Sequence, residues 1–270
     1  MSIGQEGHLV AAITGASSGF GKEFAFQLAA KGYDLFLVAR RQHILEELKQ
    51  KLEFQYNIAV EIMSADLADM NDLQRVESKL SSISLLEFMI NNAGFGGNRE
   101  FPDVDIDLET RMVQVHCLAT MRLCRAALLP MVKRQSGRVI NVASVAGFFS
   151  GAGAADYTAT KSYLITFSKS VYCDVRLKGI RVQALCPGFV KTGFHSAESM
   201  KGSTIPQKVP SFLWLSASDV VRTSLKAIER TFPFYRVICI PSLRYKLIAF
   251  FGSESLFAPF RILFSKGTIR

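Results

Sequence analysis

Leu9-Val10-Ala11-Ala12-Ile13, running straight into Thr14-Gly15-Ala16-Ser17-Ser18-Gly19-Phe20-Gly21, is the stretch whose reading decides the fold. Five apolar residues in a row predict a short strand buried on both faces, as strands of a parallel sheet are. A helical pattern follows, with Phe24, Ala25, Leu28 and Ala29 on one face and Gly32 as its stop. The glycines between strand and helix are spaced G-x-x-x-G-x-G. Taken alone, such glycines mark a tight turn just as well. Placed between a strand and a helix, they read as a cradle where backbone N–H groups meet a pyrophosphate at a helix N-terminus.

Working outward, the alternation repeats. Asp34 to Ala39, Ala59 to Met63, Glu87 to Ile90, Arg138 to Val142, Gly179 to Cys186 and Tyr235 to Ile240 read as strands. Helical patterns fall near 42–54, 71–81, 109–134, 157–176 and 218–231. Strands alternating with helices call for right-handed crossovers, so the predicted class is α/β with a doubly wound parallel sheet. No repeat, linker or low-complexity tract breaks the pattern. One domain is therefore expected over residues 1–241, followed by an apolar, basic tail over 242–270.

Bulk properties agree with a globular protein. Apolar residues make up 49% of the 270 and charged residues 20%. The formal charge of +9 is scattered along the chain, which argues against nucleic acid as a partner. Five cysteines, odd in number and without metal-ligand spacing, read as reduced thiols of a cytoplasmic protein and predict no metal site. No basic-then-apolar export signal precedes Leu9, and no stretch reads as a membrane span.

The end of the second strand bears on cofactor choice. A dinucleotide site usually holds an acid there against the ribose 2′-OH. Here Ala39 is followed by Arg40-Arg41, and an arginine fork suits a 2′-phosphate. The reading is NADP(H) rather than NAD(H). Asp66, beside Leu67, is placed either to accept a hydrogen bond from the adenine amine or to cap the helix after it. Asn91-Asn92-Ala93-Gly94 ends in small residues that let backbone approach a flat cofactor.

Candidate chemistry lies further on. Tyr157 and Lys161 stand at i and i+4 of a helix, hence on one face. An ammonium near a phenol favours the phenolate and is expected to lower its pKa from about 10. Ser144, thirteen residues before the tyrosine, ends a strand where its hydroxyl can hold a carbonyl oxygen. Acid, tuner and oxygen holder suit carbonyl chemistry. A lone Y-x-x-x-K is common on ordinary helices and gains weight only from the cofactor cradle.

Together these stretches resemble the short-chain dehydrogenase/reductase family. The matching segments are Thr14–Gly21, Asp66, Asn91–Gly94, Ser144, Tyr157 with Lys161, and Pro187-Gly188-Phe189-Val190-Lys191-Thr192, in order over roughly the first 195 residues. The resemblance implies a Rossmann-like domain and an NADP(H)-dependent oxidoreductase. It implies cofactor contacts at Gly15, Ser17, Ser18, Gly19, Phe20 and Gly21 in the glycine turn, and at Arg40, Asp66 and Leu67. Further contacts are implied at Asn92, Ala93 and Gly94, and at Pro187, Gly188, Val190 and Thr192, with Thr192 on the nicotinamide carboxamide. Tyr157 would be the acid/base, Lys161 would also bind the nicotinamide ribose, and Ser144 would orient the carbonyl. A homodimer or homotetramer packed through the helices near 109–134 and 157–176 is implied as well.

One position departs from the family. Where the family commonly has an asparagine whose backbone carbonyl holds a water of the proton relay, this chain has His116. Either the imidazole substitutes in the relay or His116 is a packed helix residue.

The segment near 189–214 is rich in aromatics (Phe189, Phe194, Phe212, Trp214) and breakers (Gly193, Gly202, Pro206, Pro210), which suits a lid over an apolar pocket. Phe95, Phe148 and Phe149 are expected to help line it. The tail mixes Leu243, Leu247, Phe250, Phe257 and Phe264 with Arg244, Lys246, Arg261 and Lys266. Gly252 and Pro259 are expected to break it into short helices that contact a second subunit, a membrane surface or the domain itself.

The leading function is hydride transfer between NADP(H) and the carbonyl or alcohol of a small hydrophobic substrate. A 3-oxoacyl-carrier-protein reductase is the alternative among enzymes, although Cys173 stands where the resemblance implies a basic residue in such reductases. A non-catalytic NADP-binding regulator is the alternative of another class, and the intact Ser144/Tyr157/Lys161 set argues against it.

Overall fold

In the computed structural model, which describes residues 3–97, 99–150, 152–192, 209–231 and 233–253, β1 (Val10–Thr14) is buried along its whole length. α1 (Gly19–Ala29), β2 (Asp34–Ala39), α2 (Gln42–Tyr56), β3 (Val60–Ser64), α3 (Met70–Ser82) and β4 (Leu86–Asn91) follow. α4 (Ile106–Val113) runs through a π-helical turn at Gln114–Ala119 into α5 (Thr120–Arg134). β5 (Gly137–Val142), α6 (Ala155–Val175), β6 (Ile180–Leu185), α7 (Ala217–Ile228), the short β7 (Ile238–Cys239) and α8 (Leu243–Ser253) complete the described order.

The strands form one sheet in the order 3-2-1-4-5-6-7, and every neighbouring pair is parallel. Alternate residues of β1 serve opposite faces, as strand geometry dictates. Ala11 and Ile13 pack with Phe24 and Leu28 of α1, Leu45 and Leu52 of α2, and Val221 and Leu225 of α7. Val10 and Ala12 pack with Leu73 and Val76 of α3, Leu123 and Ala127 of α5, and Val175 of α6. Each fully buried Leu or Phe contributes roughly 1.5–3 kcal/mol. The Rossmann-like, doubly wound class is as expected. Its strand order reverses between β1 and β4, which opens a crevice at their C-terminal ends.

Several local expectations need correcting. α3 is capped by Asp69, whose side chain accepts from the Asp72 N–H, and not by Asp66. α7 begins at Ala217 behind an N-cap at Ser216, whose hydroxyl accepts from the Asp219 N–H, and it ends at Ile228, short of the expected 231. The last strand shrinks to two residues. α8 ends, within the described residues, at Ser253, one residue past Gly252. Among the described residues one helix, Ile106–Arg134, is long and apolar enough by composition to cross a membrane. Its Met112, Leu123, Ala127 and Met131 are buried in the domain, which accounts for the apolar content. Gly193, Phe194, Gly202, Pro206 and the tail from 254 onward lie outside the described residues.

Candidate active site

The crevice is floored by the glycine turn. Gly15 and Gly19 have φ of +64° and +54°, values that L side chains rarely adopt. A Cβ at Gly21 would sit 2.3 Å from the Gly15 carbonyl oxygen, so α1 can meet β1 this closely only with glycine there. Ser18 stands at the N-cap with no side-chain cap bond, and the first turn of α1 carries no acid. The opening N–H groups of α1 therefore have no capping side chain, which fits an anionic pyrophosphate.

A clasp not expected from the sequence joins the turn to β4. Thr14 Oγ1 accepts from the N–H groups of Asn92 and Ala93 at 3.0 and 3.1 Å. Asn92 Nδ2 donates to the Thr14 and Gly15 carbonyls at 2.9 and 3.2 Å. Behind it, Asn91 Nδ2 donates to Asn141 Oδ1 at 2.8 Å, and Asn141 Nδ2 donates to Ser168 Oγ at 2.9 Å. This buried polar chain ties β4 and β5 to α6 and so fixes the helix that carries Tyr157 and Lys161.

At the adenosine end, Arg41 rather than Arg40 touches the glycine turn, its guanidinium donating to Ser17 Oγ at 2.9 Å. Asp66 accepts from the Ala68 N–H at 3.0 Å and from Arg111 of α4 at 2.6 Å. Burial works to raise its pKa, but these two donors outweigh burial and hold the carboxyl below its ordinary value. Neither the Arg41 contact nor the Arg111 pair was legible in the sequence, since both partners are distant in the chain.

Ser144, Tyr157 and Lys161 converge at the ends of β5 and α6. Ser144 hydrogen-bonds the Tyr157 phenol, and its Oγ accepts from the Ala146 N–H at 3.1 Å. Lys161 is buried, donates from Nζ to the Val142 carbonyl at 2.9 Å, and lies 5.6 Å from the centroid of the Tyr157 ring. Burial pulls the lysine pKa down to about 8. The expected lowering of the tyrosine pKa is reversed in this structure. Desolvation raises it, with the Ser144 hydrogen bond acting in the other direction. A phenol held protonated at neutral pH is suited to donating a proton to a carbonyl oxygen.

Several further expected residues lie on neighbouring loops. Val145 N–H donates to the Pro187 carbonyl at 3.0 Å, which brings the Pro187–Thr192 turn beside Ser144. Thr192 faces the glycine turn, its Cβ 3.7 Å from where a Cβ on Gly19 would lie. Gly188 packs under the ring of Tyr245 from α8, and a Cβ there would overlap the ring at 2.0 Å. The Tyr245 hydroxyl accepts from the Phe189 N–H at 3.0 Å and donates to the Leu213 carbonyl at 2.8 Å. His116 is buried at 1% exposure with both ring nitrogens engaged. A cleft beside Tyr157 is lined by Phe101, Val104 and Met112 but also by Arg99, Glu109 and Asp156, so it is less uniformly apolar than expected.

Comparison with known proteins places these features. The family profile described as short chain dehydrogenase matches residues 9–201. The NADP-dependent 3-hydroxy acid dehydrogenase of Schizosaccharomyces pombe is 35% identical over 226 residues, which is 81% of this chain and 86% of that protein. The very-long-chain 3-oxoacyl-CoA reductase-B of Danio rerio is 30% identical over 187 residues, 67% of this chain but only 60% of that longer protein. Among solved structures, the short-chain dehydrogenase from Sphingobium yanoikuyae in complex with NADPH superposes with a TM-score of 0.80 at 28% identity, covering 97% of this chain and 96% of that one. The bulky-bulky ketone specific alcohol dehydrogenase from Comamonas testosteroni gives 0.77 at 27% identity over 97% and 95%.

Proposed function

The chain belongs to the short-chain dehydrogenase family, and from that premise we propose that it is an NADP(H)-dependent oxidoreductase acting on the carbonyl or alcohol of a hydrophobic substrate. The observation that carries this reading is the convergence of Ser144, Tyr157 and Lys161 on the crevice floored by the glycine turn. The nicotinamide, when bound, supplies or accepts the hydride at the carbonyl carbon.

The protein's own residues supply the rest. The uncapped N-terminus of α1 holds the pyrophosphate, and Arg40 and Arg41 receive the 2′-phosphate beside Ser17. Ser144 Oγ hydrogen-bonds the substrate oxygen. Tyr157 gives that oxygen its phenolic proton in reduction and takes it back in oxidation. Lys161 lends positive charge near the phenol, which stabilises the phenolate left behind and draws replacement protons to it.

A second reading, reduction of a 3-oxoacyl thioester, is favoured by the relatives named for that reaction. The test is NADPH oxidation by the purified protein with bulky ketones in one arm and 3-oxoacyl-CoA esters in the other. Tyr157→Phe should abolish turnover while NADPH binding stays within about a factor of a few. Turnover retained in that variant removes Tyr157 from the mechanism.

A subunit contact through α5 and α6 is supported by the exposed large apolar residues Met121, Leu129 and Tyr163; size measurement on a Leu129→Glu variant tests it, and unchanged size rejects it. A peripheral membrane contact through α8 is supported by Leu243 and Leu247, 72% and 52% exposed beside Arg244 and Lys246. Replacing both leucines with serine should abolish flotation with anionic liposomes, and no flotation of the unaltered protein rejects the contact.

A further inference from the structure

His116 stands where the family's usual asparagine would be, and its surroundings say what the imidazole does. The Phe95 N–H lies 3.2 Å from Nε2. A backbone N–H only donates, so Nε2 accepts and the neutral ring carries its proton on Nδ1. Nδ1 is 2.9 Å from Thr160 Oγ1, and Thr160 Oγ1 donates in turn to the Tyr157 carbonyl at 3.0 Å. The hydrogen bonds therefore run in one direction, from Phe95 through His116 and Thr160 to the backbone of Tyr157.

The ring is also gripped by its neighbours. It packs against the Phe95 ring at 6.0 Å and edge-on to the Tyr157 ring at 6.1 Å between centroids. The backbone of Gly94 passes so near that a Cβ there would be 2.6 Å from Nε2. The imidazole thus touches the end of the Asn92–Gly94 loop on one side and the first turn of α6 on the other. The π-helical turn at Gln114–Ala119 carries His116 at this junction.

We propose that His116 is a positioning residue: a neutral hydrogen-bond bridge that sets the spacing between the loop after β4 and the tyrosine-bearing turn of α6, and does not carry protons. A relay needs a ring nitrogen free to take a second proton, and the Phe95 N–H occupies the one lone pair available. Among the described residues, Lys161 and Tyr157 are ionisable groups that act on or touch the ring. Burial, and then the Lys161 charge, both oppose a second proton, so His116 stays neutral through the physiological range. The role rests on the oxidoreductase reading above, because spacing matters only if Tyr157 must meet a bound substrate beside that loop.

The test has three parts. In protein labelled with ¹⁵N-histidine, the His116 ring should show a single Nδ1–H tautomer that does not titrate between pH 5 and 9. Titration in that range, or an Nε2–H tautomer, overturns the proposal whether or not the protein turns over any substrate. In the assay of NADPH-dependent reduction, His116→Leu and Thr160→Val should each lower kcat by roughly 10- to 100-fold, since small misplacements of reacting groups carry penalties of this size. The double variant should be little worse than either alone, because both break one chain. His116→Gln, which keeps a donor and an acceptor, should recover most of the rate with an unaltered pH profile. Full activity in Thr160→Val overturns the bridge even if His116→Leu fails to fold. Loss of a pH-profile limb in His116→Gln restores the relay. If the unaltered protein reduces none of the carbonyl substrates while the ring stays Nδ1-protonated, the functional reading fails and the bridge stands.

Discussion

Replacing Lys161 with methionine is expected to make the protein more stable at neutral pH while removing its activity. The lysine is 6% exposed and its ammonium is satisfied by the Val142 carbonyl at 2.9 Å. Burial nevertheless lowers its pKa from 10.5 to about 8. At about 1.4 kcal/mol per pH unit, keeping the charge inside the fold at pH 7 costs about 3 kcal/mol. Methionine has similar length and no charge, so it removes this cost. It also leaves the Val142 carbonyl without its donor, a loss of about 1 kcal/mol. The net gain is about 2 kcal/mol, or roughly 4–8 °C in Tm for a chain of this size. The sign of the pH dependence follows from proton uptake. Between about pH 8 and 10.5 the unfolded lysine binds a proton that the folded one has released, so wild-type stability rises with pH across that window. The advantage of the variant is therefore full below about pH 8, and above 10.5 only the loss of about 1 kcal/mol at the Val142 carbonyl remains. Urea and thermal melts of both proteins from pH 7 to 10.5 check this. A variant less stable at pH 7, with a difference flat across the window, would refute the reasoning.

Three further outcomes are expected. Arg40→Ala and Arg41→Ala should each weaken NADPH more than NADH, by roughly 1–3 kcal/mol of charge-assisted bonding; steady-state kinetics with both cofactors measures this, and equal sensitivity rejects a 2′-phosphate contact. Tyr245→Phe removes the hydroxyl that joins Phe189 to Leu213, so cofactor affinity should drop several-fold with little change in Tm; equilibrium titration with NADPH decides, and unchanged affinity detaches α8 from the cofactor turn. Asn141→Leu breaks the fully buried chain to Asn91 and Ser168 and should destabilise the fold by roughly 2–4 kcal/mol, read from urea midpoints; a loss below about 1 kcal/mol would mean the chain is not a strut.

Much of the fold was readable from local pattern. Unbroken apolar runs and 3.6-residue periodicity are properties of neighbouring residues, so β1, the glycine turn and the alternation of strands and helices could be placed from the sequence. Tyr157 and Lys161 were paired by helix spacing alone. Boundaries shifted where capping decided them, as at Asp69 and Ser216, because a cap depends on which side chain reaches a free N–H.

The site itself was assembled only by the tertiary structure. Ser144 meets Tyr157, Arg41 meets Ser17, Arg111 meets Asp66 and Tyr245 covers Gly188 because the strand order brings chain-distant loops to one edge of the sheet. Spacing carries no information about such meetings. The direction of the tyrosine pKa depends on the same packing. Sequence shows that an ammonium is near, but desolvation depends on how deeply the phenol is buried, and here burial outweighs the Ser144 hydrogen bond. His116 was visible as a departure from the family, and only the positions of Phe95 and Thr160 fixed its tautomer. The sequence by itself determined which segments are strands, helices and cradle; the packing of those segments decided which groups touch, which are dry, and therefore which proton each one holds.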